Sequence, residues 1–326
     1  MRLLLQQHTS FLITILLSLV VAPVSAGDTA TRVLLDRMSH SHRELNYQGI
    51  FTFQQRDKME SLRMAHAVID GEEYERLEYM DGDKREIIRR GHKLNCIHPG
   101  HQLLRFYQWQ QNLKQSSLVQ GGVGQYYQFT VIGTDRIAGR RAVSLEVSPK
   151  DTHRFGYRLS LDEKTGLLLR SELLDPKGQI LERFQFVDIS IGELIPLERF
   201  NGTEHSYHAG HIKPAADAKQ SFIIPGSWMV NWLPGGFTAA VANLKFVSDD
   251  MASFTDGLTV FSVFLEKDID AAKIATGVEG RARHGATIAY SRALLLAGHP
   301  HRVTVVGEIP PQTAQQIAQS VVLVSQ

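Results

Sequence analysis

Hydrophobic positions follow two different periods along this chain, and the first change of period comes close to its N-terminal end. The segment "TATRVLLDRMSHSHREL" has apolar residues at helical spacing, which predicts a helix capped by Thr29 or Thr31. In the next segment, "NYQGIFTFQQ", Tyr47, Phe51 and Phe53 share one face. That spacing of two residues is typical of a β-strand.

Strand and turn patterns then continue to about Ile195. The segments "AVSLEVS" and "GYRLSLD" alternate apolar and polar residues, and "DEKTG" and "DPKG" have the composition of tight turns. Some strands, including "QILERFQFV", have apolar residues on both faces. The pattern therefore predicts a long antiparallel sheet that curls around its own helices or around a ligand.

The periodicity is lost in residues 200–221, which are rich in Gly, Ala, His and Pro and are predicted to be a linker. Beyond it, four segments have strand character: "SWMVNWLPGGFTAAV", "FTDGLTVFSVFLEK", "ATIAYSRALLLAG" and "HRVTVVGEI". The segment "PPQTAQQIAQSVVLV" predicts a closing helix, with proline at its start. The fold class expected is α+β, mainly antiparallel β, in two domains.

The most highly charged stretch, "YERLEYMDGDKREIIRRG", is predicted to be a hairpin rather than a catalytic site. A two-residue turn at Asp81-Gly82 would place Glu78 opposite Arg85 and Leu77 opposite Glu86. Residues three apart on a strand point to opposite faces, so Glu75 and Glu78 would not converge on one substrate. The charges are therefore expected to form cross-strand pairs.

Residues 1–26 have the pattern of a secretory signal peptide. Arg2 is their formal charge, "FLITILLSLVV" is an apolar run, and "VSA" ends at a cleavage site after Ala26. The alternative is a retained membrane helix, for which the run is shorter than the ~20 residues that a span needs. Removing Arg2 leaves 34 basic and 34 acidic side chains. This balance argues against nucleic-acid binding.

Candidate chemistry is sparse. No nucleophile, phosphate-binding or zinc-protease motif is present, so neither catalytic residues nor a cofactor are predicted. His205, His208 and His211 in "HSYHAGH" could bind a metal, but a solvated linker is the favoured interpretation and no metal site is predicted. Cys96 lacks an internal disulfide partner, and either burial or pairing with another chain stays open.

Several stretches together resemble the MucB/RseB family of periplasmic regulators of the sigma-E-type envelope stress response. They are "LLDRMSHSHRELNYQGIFTFQQ", "YMDGDKREIIRRG", "LPGGFTAAV", "FTDGLTVFSVFLE" and "VTVVGEIPPQTAQQIAQSV", in this order along the chain. One departure is Phe254-Thr255 before Asp256-Gly257, where Tyr-Ser is expected.

The resemblance implies a layout and a function. It implies a LolA-like unclosed β-barrel with covering helices in residues 27–199 and a smaller α+β domain in 222–326. Such a periplasmic protein would bind the periplasmic part of a membrane-spanning anti-sigma factor, protect it from proteolysis, and respond to lipid or lipopolysaccharide. The alternative is a lipid carrier of the LolA type. The identity of the lipid and a homo-oligomeric state stay open.

Two sets of residues are candidates for binding. Aromatic side chains on the strands are expected to line the barrel and to accept acyl chains: Phe51, Phe53, Tyr126, Phe129, Phe184 and Phe186. The partner surface is expected on the C-terminal domain, where two consecutive prolines stiffen the loop before the final helix. The candidates there are Phe237, Phe254, Pro310 and Pro311.

Overall fold

The structure is a computed structural model, and it describes residues 26–90, 123–202, 206–208, 228–239, 250–267, 269 and 279–324. The predicted signal peptide and Cys96 lie outside these residues. The described helices are α1 (Ala26–Glu44), α2 (Val123–Tyr126), a 3₁₀ turn (Leu197–Phe200) and α3 (Pro311–Gln319). Within the described ranges, no helix is both long and apolar enough to cross a membrane.

Ten of the described strands form one sheet with the order β10-β4-β3-β2-β1-β9-β8-β7-β6-β5. They are β1 (Tyr47–Gln55), β2 (Lys58–Ile69), β3 (Glu72–Tyr79), β4 (Glu86–Arg90), β5 (Tyr127–Ile137), β6 (Arg140–Pro149), β7 (Gly156–Asp162), β8 (Leu168–Leu174), β9 (Ile180–Ile191) and β10 (Ser206–His208). Neighbours are antiparallel, except that β10 is parallel to β4. The end strands β5 and β10 do not pair with each other, so the sheet formed by the described strands is not closed, as the resemblance implies.

The sheet curves around α1 and two clusters of apolar side chains. The predicted N-terminal helix is present, but Thr29 and Thr31 lie within it rather than at its cap. Its Leu35 and Met38 are 3% and 2% exposed against strands β5 to β9. Bulges interrupt the ladders, for example between Ile50 and Phe51 opposite β9. Because a bulge bends its strand and increases the local twist, these interruptions help the sheet to curl.

The predicted register of the charged hairpin is wrong by one residue. Glu78 lies opposite Glu86, and Leu77 lies opposite Ile87, because the connection is longer than two residues. Glu78 pairs instead with Arg63 on β2, at 3.3 Å. The observed register places Ile87 opposite Leu77 on the apolar face. The predicted pairing would have turned Ile87 away from the core.

Within its described residues, the C-terminal unit contains a six-stranded sheet of order β12-β13-β14-β17-β16-β15 and a two-stranded ribbon of β11 and β18. Its strands are β11 (Trp228–Val230), β12 (Thr238–Ala239), β13 (Met251–Thr255), β14 (Val260–Lys267), β15 (Glu279–His284), β16 (Thr287–Leu296), β17 (His299–Gly307) and β18 (Val321–Leu323). Helix α3 packs on β16 and β17 and contributes the buried Ala314, Ile317 and Ala318.

Two predicted elements of this unit are shorter than expected. The strand expected across "SWMVNWLPGGFTAAV" is divided into β11 and β12, because Pro234 and a left-handed Gly236 interrupt it. The closing helix ends at Gln319, and the following Val321 begins β18. β-branched residues favour strand over helix at that point.

The predicted linker, residues 200–221, begins inside the folded N-terminal unit. Phe200 is fully buried against Ala65 and Ala67. Ser206–His208 then forms β10, which the loss of sequence periodicity did not indicate. Residues 203–205 and 209–221 of the predicted linker lie outside the described residues. We use "N-terminal unit" for residues 26–208 and "C-terminal unit" for 228–324 below.

Candidate functional site

Four of the six lipid candidates lie together on the inner face of the sheet. Phe51 contacts Phe184 with ring centroids 4.8 Å apart, and Phe186 lies edge-on to both. Phe53 packs partly buried against the same cluster. Phe51 and Phe186 are 1% and 2% exposed, so in this conformation the rings fill the interior of the barrel.

The other two candidates, Tyr126 and Phe129, lie in a different cluster. They pack against the core formed by α1 and strands β5 to β9. The predicted set is therefore divided between two apolar regions. We name Phe51, Phe53, Phe184 and Phe186 the phenylalanine cluster, and it is the part of the prediction that the fold brings together.

A small pocket opens at the ends of β1 and β9. Its volume is about 120 Å³, and it is lined by Gln54, Arg56, Ile180, Leu181 and Arg183. Ligand pockets usually measure about 300–1,000 Å³. This pocket is too small and too polar to be the predicted acyl-chain slot.

The two units contact each other around Arg154, in the loop between β6 and β7. Its side chain is 0% exposed, and its Nε donates to Asp256 Oδ2 at 2.6 Å. Its terminal nitrogens donate to Asp151 Oδ2 and to the carbonyl oxygen of Gly235. One arginine thus joins two segments of the C-terminal unit to the N-terminal unit.

Asp256 lies in the turn between β13 and β14. Its Oδ1 accepts the backbone amides of Leu258 and Thr259 at 2.9 and 2.8 Å. Its Oδ2 also accepts the hydroxyl of Tyr127 at 3.0 Å. Burial, followed by the charge of Asp256, raises the pKa of Tyr127 well above its ordinary value. The tyrosine therefore remains a hydrogen-bond donor, and both carboxylate oxygens are occupied.

The charge of Arg154 is well compensated. Burial by itself lowers its pKa, but the hydrogen bond and charge of Asp256 outweigh burial, so the pKa lies above the ordinary value. The rings of Tyr126 and Phe237 lie 4.7 and 5.0 Å from the guanidinium carbon. Such contacts add cation–π attraction in a site that excludes water.

Further contacts between the two units lie beside Arg154. A Cβ on Gly236 would lie 2.2 Å from the ring of Tyr126, so only glycine fits this left-handed position. The ring of His153 lies 5.2 Å from Trp232, and its Nδ1 is 3.2 Å from Thr313 Oγ1. We name the following residues the junction cluster: Tyr126, Tyr127, Asp151, His153, Arg154, Trp232, Gly235, Gly236, Phe237, Asp256, Thr259 and Thr313.

A second contact joins the units at the turn between β15 and β16. Glu182 Oε1, on β9, accepts the backbone amide of Ala286 at 2.8 Å and the side-chain amide of Gln55 at 2.7 Å. Leu258 and Ala286 are buried within the core cluster of the N-terminal unit. The interface is therefore continuous with that core.

The predicted partner residues are mostly buried. Phe237 and Phe254 are 6% and 3% exposed and pack on Phe261 in the core of the C-terminal unit. Pro310 is buried, and its carbonyl oxygen accepts the amide of Ala314. Pro311 is exposed and begins α3. Direct contact of these residues with a partner stays a prediction.

Sequence reasoning did not identify the junction cluster. A signal was available, because "LPGG", "FTDGL" and "PPQT" all lie in the stretches that carry the family resemblance and all meet at this interface. Among the histidines considered for metal binding, His205 and His211 lie outside the described residues. Elsewhere in the described chain, no group of His, Cys, Asp or Glu side chains has the arrangement of a metal site.

Comparison with protein families finds two matches that together span most of the chain. The MucB/RseB N-terminal domain matches residues 30–205, and the MucB/RseB C-terminal domain matches residues 224–322. Residues 206–223 lie between the two.

Individual relatives agree with these matches. The chain is 33% identical to the sigma factor AlgU regulatory protein MucB of Pseudomonas aeruginosa, over 96% of this chain and 97% of the relative. It is 27% identical to the sigma-E factor regulatory protein RseB of Escherichia coli K12, over 93% and 94%. The crystal structure of MucB in complex with MucA(peri) superimposes with a TM-score of 0.70 at 29% identity, covering 91% of this chain and 100% of that one.

Proposed function

Because the chain belongs to the MucB/RseB family, we propose that it is a negative regulator of a sigma-E-type stress response that binds the periplasmic part of a membrane anti-sigma factor. The observation that carries this proposal is the family match over both domains. The similarity to a MucB crystallised with MucA(peri) supports it. A binding role also agrees with the absence of a catalytic motif from the sequence.

The chain acts in the periplasm under this proposal. Its N-terminal 26 residues have the pattern of a cleaved signal peptide, and the anti-sigma segment that it binds lies on the same side of the membrane. Bound there, it covers the segment and keeps a protease from reaching it.

A binding titration tests the partner. The mature chain from Gly27, titrated with the purified periplasmic domain of the anti-sigma factor from the same organism, should bind with a Kd of about 1 μM or below, or about −8 kcal/mol. The periplasmic domain of an unrelated single-span membrane protein serves as the control. Binding equal to that of the control would overturn the proposal.

The second part of the proposal is that lipid or a lipopolysaccharide fragment relieves this protection. The phenylalanine cluster supports it, since it is an apolar region on the inner face of an unclosed sheet. An acyl chain would enter by displacing ring contacts, because these rings are packed against one another.

Substitution of Phe53 tests the lipid site. Phe53→Asp places a carboxylate at the edge of the phenylalanine cluster, and since an unpaired charge is costly in an apolar site, binding of a fluorescent fatty acid or of lipid A should be lost. Val187→Asp is the matched control, because Val187 is 57% exposed and lies next to Phe186 on β9. Equal lipid binding by both folded variants would remove the cluster from the lipid site.

A lipid carrier remains the second candidate function, and the same two measurements separate it from the regulator. A carrier binds lipid but shows only control-level binding to the anti-sigma domain. The separate apolar core of the C-terminal unit favours the regulator, because carrying a lipid requires only the N-terminal unit.

A further inference from the structure

The guanidinium of Arg154 is engaged on each of its nitrogens and has aromatic rings close to it. Its three nitrogens donate to Asp256, Asp151 and the carbonyl oxygen of Gly235. Tyr126 and Phe237 lie against it as aromatic neighbours. A planar group held in this way accepts one orientation of the surrounding segments, and a lysine would not reproduce that geometry.

These contacts couple the orientation of one unit to that of the other. Asp151 and Tyr126 belong to the N-terminal unit, whereas Asp256 lies in one segment of the C-terminal unit and Gly235 and Phe237 lie in another. The Asp256 carboxylate cannot turn freely, because its other oxygen accepts two backbone amides of its own turn. Any rotation of the C-terminal unit about the interface would therefore break several of these bonds together.

A buried ion pair contributes little net stability compared with apolar packing, because both charges lose their hydration. Its larger effect is on alternative arrangements. In any other docking of the two units, Arg154 or Asp256 would be buried without its partner, and such arrangements are strongly disfavoured. The apolar contacts of Leu258 and Ala286 hold the units together without this directional requirement.

The hydrogen bond between Glu182 and the Ala286 amide is a second connection between the two units. It joins the N-terminal unit to the Gly285–Ala286 turn, far along the chain from Asp256. One hydrogen bond to a backbone amide limits separation but allows rotation about the bond. Arg154 supplies the additional contacts that limit this rotation.

We propose that Arg154 is a positioning residue for partner binding, since it fixes the single orientation in which the two units together present the surface that the anti-sigma segment recognises. This inference rests on the proposed function. Arg154 itself is fully buried, so its effect on the partner passes through the orientation of the C-terminal unit.

Distances between spin labels test, without any partner, whether Arg154 fixes the orientation of the two units. Labels at Lys177→Cys and Lys267→Cys, both exposed and one on each unit, are placed in a Cys96→Ser background of the full mature chain. The unsubstituted junction should give one narrow distance distribution. Arg154→Met and Arg154→Lys should each broaden it.

Two further variants keep this test interpretable. Asp256→Asn retains the acceptor for the turn amides but removes the charge, and it should broaden the distribution as Arg154→Met does. Arg158→Met is the matched control, because Arg158 pairs with Glu172 inside the N-terminal unit and should leave the distribution narrow. Circular dichroism and thermal unfolding establish that each variant is folded.

Titration with the anti-sigma periplasmic domain tests whether this orientation is needed for partner binding. Arg154→Met and Asp256→Asn should weaken binding about tenfold or more, whereas Arg158→Met should stay within about twofold. A narrow distribution in folded Arg154→Met would overturn the inference, and so would a broad distribution with unchanged affinity. If the original chain does not bind the domain, the proposed function fails, and the spin-label distances still report whether Arg154 fixes the orientation.

Discussion

At the residue scale, single buried charged groups determine local geometry in this protein. Asp162 closes the "DEKTG" turn that the sequence predicts between β7 and β8. Its Oδ1 accepts the backbone amide and the hydroxyl of Thr165, both at 2.8 Å, and its Oδ2 accepts Arg140 Nε at 2.6 Å. The turn chemistry could be predicted from composition, but the pairing with Arg140 could not, because it depends on the register of β6 and β7.

This arrangement gives a pH dependence to stability. Burial alone raises the pKa of Asp162, but the bonds from Arg140 and Thr165 outweigh it, so the pKa lies below the ordinary value of 3.8. A carboxyl group with a lowered folded pKa stabilises the protein above 3.8, and this stabilisation is lost as the pH falls through the folded pKa.

We therefore predict that Asp162→Asn lowers the free energy of unfolding at pH 7 by about 1–3 kcal/mol. The deficit should shrink as the pH falls below 3.8, where the original chain also loses this contribution. Urea unfolding measured from pH 7 to pH 3 checks it. The control is Asp175→Asn, whose carboxylate accepts backbone amides in an exposed turn and should cost less. A deficit that stays constant across this range would contradict the account.

At the element scale, period-two patterns predicted most strands, whereas pairing details were predicted less well. The strands "AVSLEVS" and "GYRLSLD" appear as β6 and β7. The register of β3 with β4 was wrong, because Asp81-Gly82 is a turn signal that does not fix the length of the loop. β10 was missed because a strand of three residues carries too little periodicity to be recognised.

At Gly49, β1 and β9 approach each other so closely that there is no space for a side chain. A Cβ there would lie 2.2 Å from the carbonyl oxygen of Asp188 and 3.0 Å from the Cα of Ile189, both on the neighbouring β9. The adjacent bulge at Ile50/Phe51 shifts the pairing at this point. Since these are backbone atoms in the centre of the sheet, neither strand can move aside easily.

Gly49→Ala should therefore destabilise the protein by about 1–3 kcal/mol, the usual cost of overpacking. Gly280→Ala is the matched control, because the nearest atom to its added methyl group is Ser291 Cβ at 3.8 Å. Its stability should be unchanged or slightly higher, since alanine has less freedom than glycine in the unfolded chain. Chemical unfolding of both variants measures this difference. Equal stabilities of the two variants would mean that β1 and β9 separate readily.

At the scale of the whole molecule, the family resemblance supplied the layout and the structure supplied the connection between its parts. Arg154 and Asp256 are separated by 102 positions, and local patterns contain no information on such a contact. The same holds for the phenylalanine cluster, where alternation placed each ring on a face but did not show that Tyr126 and Phe129 lie in another cluster.

The continuous interface also affects how the whole molecule should be tested. Removing the C-terminal unit would uncover Arg154, Tyr127 and apolar residues of the N-terminal core. A truncated chain would therefore change the N-terminal unit as well as remove a docking surface. Point substitutions in the intact chain are the better test of which unit binds the partner.

We propose that this chain shields an anti-sigma factor from proteolysis. The most direct test follows cleavage of the anti-sigma periplasmic domain by its initiating protease, with and without the mature chain in excess. We expect the chain to slow cleavage about tenfold or more, because occupied partner sites exclude the protease by mass action. Lipid A should restore the rate. The same cleavage rate with and without the chain would contradict it.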